Sequence, residues 1–238
     1  MLQVCPNGPH DQAHHPHVPT TVADVVASVE ASLDAGASEV HVHPKDGEGR
    51  DSLDPANVDP LVEALRARCG PVPIGVTTAI WAVTDHRQRM QYVRQWVSRP
   101  DYASVNWHEP GGAELADLLL DRGIGVEAGL WYLDAAQAFL RYPRARECTR
   151  ILIEGTNQNV DAAINEAQQI LDCVADLGLP ILLHGEGTNA WPLLRLAKDK
   201  DLDSRIGMED TFALPDGRTA NSNAELVRAA LSQQKRNR

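Results

Sequence analysis

The fold class this sequence predicts is α/β, a (β/α)8 TIM-type barrel forming a single domain over residues 1–238. Three observations point there. Short apolar runs alternate with helical patterns from one end of the chain to the other. The runs begin at intervals of roughly 23 to 37 residues, the span a strand, a loop and a crossover helix require. No Gly-rich nucleotide fingerprint follows the first run, which argues against a doubly wound sheet and leaves the barrel.

Strands are expected at 2–7, 39–43, 73–77, 102–106, 125–129, 149–153, 180–184 and 205–208. Between the first two, Thr20 or Thr21 can cap a helix running to Ala35, with Val22, Val25, Val26, Val29 and Leu33 on one face and Gly36 as its stop. The next helix, 57–68, turns Leu61, Val62 and Leu65 inward and ends before Gly70. His86 opens a helix after the third strand, and 161–176, 191–199 and 223–234 complete the later set. No Ser-, Gly- or Pro-rich linker divides the chain, and the basic tail 233–238 reads as a frayed, solvated end.

Composition narrows the function. With 22 Lys+Arg against 33 Asp+Glu the net charge is −11, which disfavours nucleic acid and anionic membrane surfaces as partners. No apolar run approaches the ~20 residues that span a bilayer, and MLQVCPNGPH lacks the features of a signal peptide, so a cytoplasmic location is expected. Cys5, Cys69, Cys148 and Cys173 have no metal-finger spacing and read as reduced thiols.

In a barrel, chemistry gathers at the carboxyl ends of the strands. Of the nine histidines, all but His86 lie at or just after a predicted strand end. The sharpest element is Val40-His-Val-His-Pro-Lys-Asp46, where His41 and His43, two apart on a strand, point to the same face. Two neutral imidazoles so placed can bind a divalent transition metal, or can simply cap a barrel layer by hydrogen bonds. Glu209, at the end of the last strand and one strand removed from His41 and His43 around a closed ring, could complete a His2Glu set; a solvated Glu-Asp pair is the plainer reading. Arg205, four residues earlier, could orient these carboxylates, bind an anionic substrate or close a structural ion pair. Thr77, Thr78, Ser104 and Asn106 end the third and fourth strands and could hold a substrate carboxylate or keto oxygen, or close the barrel mouth. Glu127 ends the fifth strand, as a substrate contact or as a partner to a ligand histidine. Trp107 and Trp191 are expected to wall the pocket.

Taken in order, Cys5-Pro-Asn-Gly8, the run from Ala35 through His41, His43 and Asp46 to Arg50, Gly75-Val-Thr-Thr78, Ser104-Val-Asn106 and Arg205-Ile-Gly-Met-Glu-Asp-Thr211 resemble the β-keto acid cleavage enzymes. The resemblance runs from Leu2 to about Arg228. It implies a TIM-type barrel with a divalent metal, commonly zinc, held by His41, His43 and Glu209, and a homo-oligomer, either tetramer or dimer. It implies condensation of a β-keto acid with acetyl-CoA, giving acetoacetate and a new CoA thioester. Asp210 would then abstract the substrate proton with Arg205 as its charged partner, and Thr77, Thr78, Ser104 and Asn106 would bind substrate. One departure concerns His10, which stands in the loop where the family carries a Glu; a substrate-binding His10 implies a neutral or anionic side group. Anionic CoA also calls for a basic rim, for which Arg87, Arg89, Arg94 and Arg99 are candidates.

Two other readings compete. An amidohydrolase-like barrel hydrolase also uses His-x-His, but on the first strand, with further histidines ending the fifth and sixth. A non-catalytic metabolite-binding barrel with a vestigial metal site would have less need of Arg205, Glu209 and Asp210 together.

Overall fold

Alternation along each strand decides what this fold looks like inside. In the computed structural model, which describes residues 1–235, the strands are β1 (Leu2–Val4), β2 (Glu39–Val42), β3 (Ile74–Val76), β4 (Tyr102–Asn106), β5 (Gly125–Leu130), β6 (Arg150–Gly155), β7 (Ile181–Gly185) and β8 (Ser204–Ile206). All pair in parallel in the order β7-β6-β5-β4-β3-β2-β1-β8. A parallel bridge between Leu182 and Asp203 brings β7 to β8, with Leu183 N–H donating to Asp203 O at 3.0 Å, and so closes the ring. Helices α1 (Val22–Asp34), α2 (Pro55–Cys69), α3 (His86–Gln95), α4 (Gly112–Asp121), α5 (Leu133–Leu140), α6 (Val160–Val174), α7 (Ala190–Asp199) and α8 (Asn223–Lys235) cover it outside. Residues 236–238 of the basic tail lie outside the described residues.

Residues pointing outward from the strands, such as Val40, Val42, Val105 and Ile151, are wholly or almost wholly buried against the helices and belong to one continuous apolar core. Helix starts follow from local chemistry. Thr21 accepts from Asp24 N–H, Asp54 from Ala56 N–H, Asp85 from Gln88 N–H and Asn159 from Ala162 N–H, each cap worth about 1 kcal/mol.

The barrel interior is polar at its base. Gln3 Nε2 donates to the Tyr102 hydroxyl (2.8 Å), Tyr102 donates to Val40 O (2.8 Å), and Arg150 Nε donates to Glu127 (2.6 Å). Gly75 is what lets Tyr102 lie flat across this layer, since a Cβ there would stand 2.1 Å from its ring.

The end strands are shorter than expected. Pro6 has no N–H to donate, and β1 stops at Val4. After Ile206 the chain turns, with Asp210 and Thr211 N–H both donating to Gly207 O at 3.0 Å. Glu209 and Asp210 therefore ride on a turn beyond β8 rather than on the strand. That turn packs hard against β1: a Cβ on Gly207 would lie 1.9 Å from Cys5 O and 2.5 Å from Cys5 C. Gly207→Ala is thus expected to shift backbone and to destabilise by about 1–3 kcal/mol, read as a lowered Tm.

Candidate metal centre

His41 and His43 enter the barrel mouth from the end of β2 because their strand neighbours Val40 and Val42 face the helices. One ligand atom from each of His41, His43 and Glu209 lies within 4.8 Å of the others, and all three residues are buried. They wall an inner cavity of about 230 Å³, with Thr77, Ser104, Asn106, Trp81, Trp131, Glu154, Glu186 and Arg205.

The donor set suits a divalent transition metal. His43 Nδ1 is held by Asp51 Oδ2 at 2.7 Å, which leaves Nε2 to the cluster, 3.4 Å from Glu209 Oε1. Glu209 Oε2 is buried without a hydrogen-bond partner, an acceptor that a cation would satisfy. Burial pushes the His41 imidazole down to about 4, the neutral form a metal needs. Burial pushes His43 down as well, but Asp51 and Glu209 outweigh it and lift His43 to about 9. Three protein ligands leave coordination positions for substrate or water.

Asp51, which nothing in its sequence setting marks out, organises this side of the site. Besides His43 it accepts from Lys45 Nζ (2.6 Å) and from Trp81 Nε1 (2.8 Å). Asp51→Asn is expected to weaken metal affinity about 10–100-fold with the fold intact, measurable by competition with a chromogenic chelator.

Behind Glu209 lies a buried charge network. Arg205 Nη2 donates to Glu209 (2.8 Å) and to Asp210 (3.1 Å), and the guanidinium also faces the cavity. Buried Arg205 thereby orients both carboxylates; burial opposes ionisation of Glu209, but Arg205 holds it well below the usual carboxylate range. Asp210 is completely buried, with Cys5 Sγ donating to its Oδ2 at 2.8 Å and His184 Nδ1 at 3.2 Å from Oδ1. It does not face the inner cavity and reaches it only past Arg205. His184 stands between Asp210 and Glu154, at 3.2 and 3.5 Å. Burial and Arg205 press its imidazole down, yet the two carboxylates raise it to about 9.

Several expected contacts fall elsewhere. Thr77, Ser104 and Asn106 line the cavity, whereas the Thr78 hydroxyl turns away to donate to Ser104 O at 2.5 Å. Glu127 lies beneath the cavity with no exposed surface, paired with Arg150 and with Oε2 3.9 Å from His41 Nδ1, so it stands behind the ligand ring rather than beside a substrate. His10 Nε2 meets Glu209 O at 3.2 Å and lines a neighbouring cavity with Phe212 and Thr211. A side-group preference argued from His10 therefore has no support in the inner cavity. Trp107 packs edge-on to Phe139 and Trp191 Nε1 donates to Ala213 O; the aromatic walls are Trp81 and Trp131 instead. Arg89 is withdrawn from any rim by its buried pairing with Glu109 at 2.6 Å.

The profile of the β-keto acid cleavage enzymes matches residues 1–119 and 152–237. The chain belongs to that family. Among curated relatives, the 3-keto-5-aminohexanoate cleavage enzyme of Acetoanaerobium sticklandii is 21% identical over 231 residues, covering 90% of this chain and 83% of the relative. That of Fusobacterium nucleatum is 23% identical with the same coverage. Among solved structures, ObcA bound to oxaloacetate superposes with a TM-score of 0.73 at 17% identity, over 92% of this chain and 63% of that one. The chain thus spans less than two thirds of ObcA. A type I 3-dehydroquinate dehydratase from Clostridium difficile gives 0.64 at 12% identity, over 98% and 92%. At these identities the structural likenesses speak for the barrel fold. No helix among the described residues is long and apolar enough to cross a membrane.

Proposed function

We propose that this β-keto acid cleavage family member condenses a β-keto acid with acetyl-CoA and splits the adduct to acetoacetate and a new acyl-CoA, in a divalent-metal site built on His41, His43 and Glu209. The observation that carries the reading is the convergence of those three buried ligands from β2 and the turn after β8, in a chain whose sequence matches the family on both sides of the site.

A bound divalent ion, zinc by its His2Glu ligand chemistry, would polarise the keto oxygen and lower the cost of enolate formation by several kcal/mol. The protein groups do the rest. Thr77, Ser104 and Asn106 line the cavity and orient the substrate's oxygens. The proton from the carbon between the two carbonyls ends on Asp210, passed across the Arg205 guanidinium that stands between that carboxylate and the cavity. Although burial raises its pKa, Arg205 and His184 lower it further, so Asp210 stays ionised and acts as a weak base suited to an already acidified C–H. Arg205 holds that carboxylate in place and stabilises the charge that moves off it.

The hydrolase alternative needs histidines at the ends of the fifth and sixth strands, where this barrel carries Leu130 and Gly155. The decisive experiment incubates metal-loaded protein with a panel of β-keto acids, with and without acetyl-CoA. Acetoacetate release only when acetyl-CoA is present is the expected result. Hydrolysis without CoA would favour the amidohydrolase-like reading, and no turnover of any substrate the non-catalytic one.

A further inference from the structure

Two cavities meet at one carboxylate that the steps above leave idle. The inner cavity, about 230 Å³, has room for a small keto acid and an acetyl group. A second cavity of about 610 Å³ opens beside it, walled by Met208, Phe212 and Ala213 and edged by His10, Gln158 and Thr188. Only Glu186 and the ligand Glu209 line both. Glu186 follows β7, and its backbone is pinned on two sides. Its N–H donates to Gly155 O at 3.1 Å, and the next N–H, of Gly187, donates to Asp210 O at 2.7 Å. The side chain stands half-buried at the junction, and none of the described residues donates a hydrogen bond to its carboxylate.

Charge separates the two routes by which a long ligand could reach the inner cavity. A third cavity joins it past Pro9 and Trp81, but gathers Asp11, Asp46, Asp51 and Asp54 against Arg50 alone, a wall that repels phosphates. Beyond the junction the second cavity adds no exposed carboxylate, because the Asp210 side chain is sealed. Its imidazole, amide and hydroxyls suit the amides of a pantetheine arm, and Phe212 and Met208 suit its hydrocarbon. At the junction itself Glu154, Glu186, Glu209 and Asp210 outnumber Arg205 and His184. With the keto acid on the ion, a thiolate released there is one more anion in a desolvated, carboxylate-rich space, so the sulfur needs a proton as it leaves.

We propose that Glu186 is a further catalytic residue, the acid and base for the sulfur of acyl-CoA, whose pantetheine arm reaches the junction through the second cavity. This rests on the β-keto acid reading above. Bond formation between the deprotonated carbon of the keto acid and the acetyl carbon breaks the thioester C–S bond. The electron pair goes to sulfur, which takes the Glu186 proton and becomes a thiol. Glu186 recovers that proton as the thiol adds to the keto carbon of the adduct. The new C–S bond is kept, the C–C bond breaks, and the acetoacetate carbon takes up the proton left on Asp210. Both carboxyl groups end as they began. Burial and then Glu154 lift the Glu186 pKa to about 7, against the pull of His184, which brings it near the ~8.5 of an aliphatic thiol.

The test has a binding arm and a kinetic arm, both on metal-loaded protein. An acetyl-CoA analogue with CH2 in place of sulfur, which cannot release a thiol, is titrated by calorimetry. Thr188→Trp, or Ala213→Trp as a second filling of the same cavity, should weaken it by about 10-fold or more with metal content unchanged. Glu186→Gln should bind the analogue like the wild type but lower kcat by about 10²–10⁴-fold. The wild-type kcat/KM for acetyl-CoA should fall as pH rises past the Glu186 pKa, about 7 and lower beside a divalent ion, and that limb should vanish in Glu186→Gln. The charged or titratable groups facing Glu186 are Glu154 from β6, His184 from β7, Arg205 from β8, Glu209 and Asp210 from the turn, and His10 from the loop after β1. Unweakened analogue binding in both tryptophan variants overturns the entrance, and undiminished kcat or a surviving limb in Glu186→Gln overturns the acid–base role. Either result leaves β-keto acid cleavage by the wild type standing. Analogue binding that both tryptophan variants weaken, with no β-keto acid cleaved by the wild type, upholds the entrance and overturns the reaction together with the part of Glu186 in it.

Discussion

His41→Ala is expected to strip the protein of its divalent ion while leaving the barrel folded. The wild type should carry about one ion per chain by elemental analysis, and the variant less than a tenth of that. The reasoning is geometric. His41 is one of only two imidazoles in the cluster, and without it His43 and Glu209 would hold the ion with two ligands instead of three. The outward face of β2, Val40 and Val42 against the helices, is untouched by the change, so the strand keeps its packing. A second readout follows from linkage: a ligand at 100 times its Kd stabilises the folded state by about 2.7 kcal/mol. Chelation should therefore lower the Tm of the wild type and leave that of His41→Ala unchanged. Equal metal content in the two proteins would remove the ligand assignment, and with it the reaction proposed above.

Asp210→Asn should do the opposite, keeping the ion and losing the chemistry. Asparagine has the shape of aspartate, and Asp210 lies outside the ligand cluster, so metal content is expected to match the wild type. Without a carboxylate to accept the substrate proton, turnover of β-keto acids should fall by about 10²–10⁴-fold. The variant also removes one of the two carboxylates that keep His184 charged, so the imidazole pKa, followed by NMR, should drop from about 9. Turnover like the wild type's, with the His184 shift observed, would take the proton-accepting role away from Asp210. The two variants are complementary, since one separates metal from fold and the other separates catalysis from metal.

Which parts of this were legible beforehand follows from the range of the forces involved. His41 and His43 can be read from spacing alone, because side chains two apart on a strand must share a face. Arg205, Glu209 and Asp210 could be grouped by proximity in the chain, but their spacing alone left the division of labour open, and only the resemblance implied one; in the fold Glu209 turns to the ligands and Asp210 is sealed behind Arg205, against Cys5 and His184. Asp51, Glu154 and Glu186 sit in loops and strand ends whose local sequence resembles any solvated acid. Only the closing of the ring sets Glu154 across from β2 and folds Asp51 back on His43. Thr78 and Glu127 show the converse: of the two roles their strand ends allowed, the fold favours the supporting one, since their groups are taken up by Ser104 O and by Arg150 before any substrate arrives.

The amino-acid order by itself determined the eight strand–helix units, the apolar faces that pack them and the paired histidines, because periodicity and capping act over a few residues. Tertiary structure alone decided which carboxylates meet the imidazoles and which are buried as supports. Those outcomes depend on charges from distant segments sharing one desolvated space, where each sets the ionisation of the next.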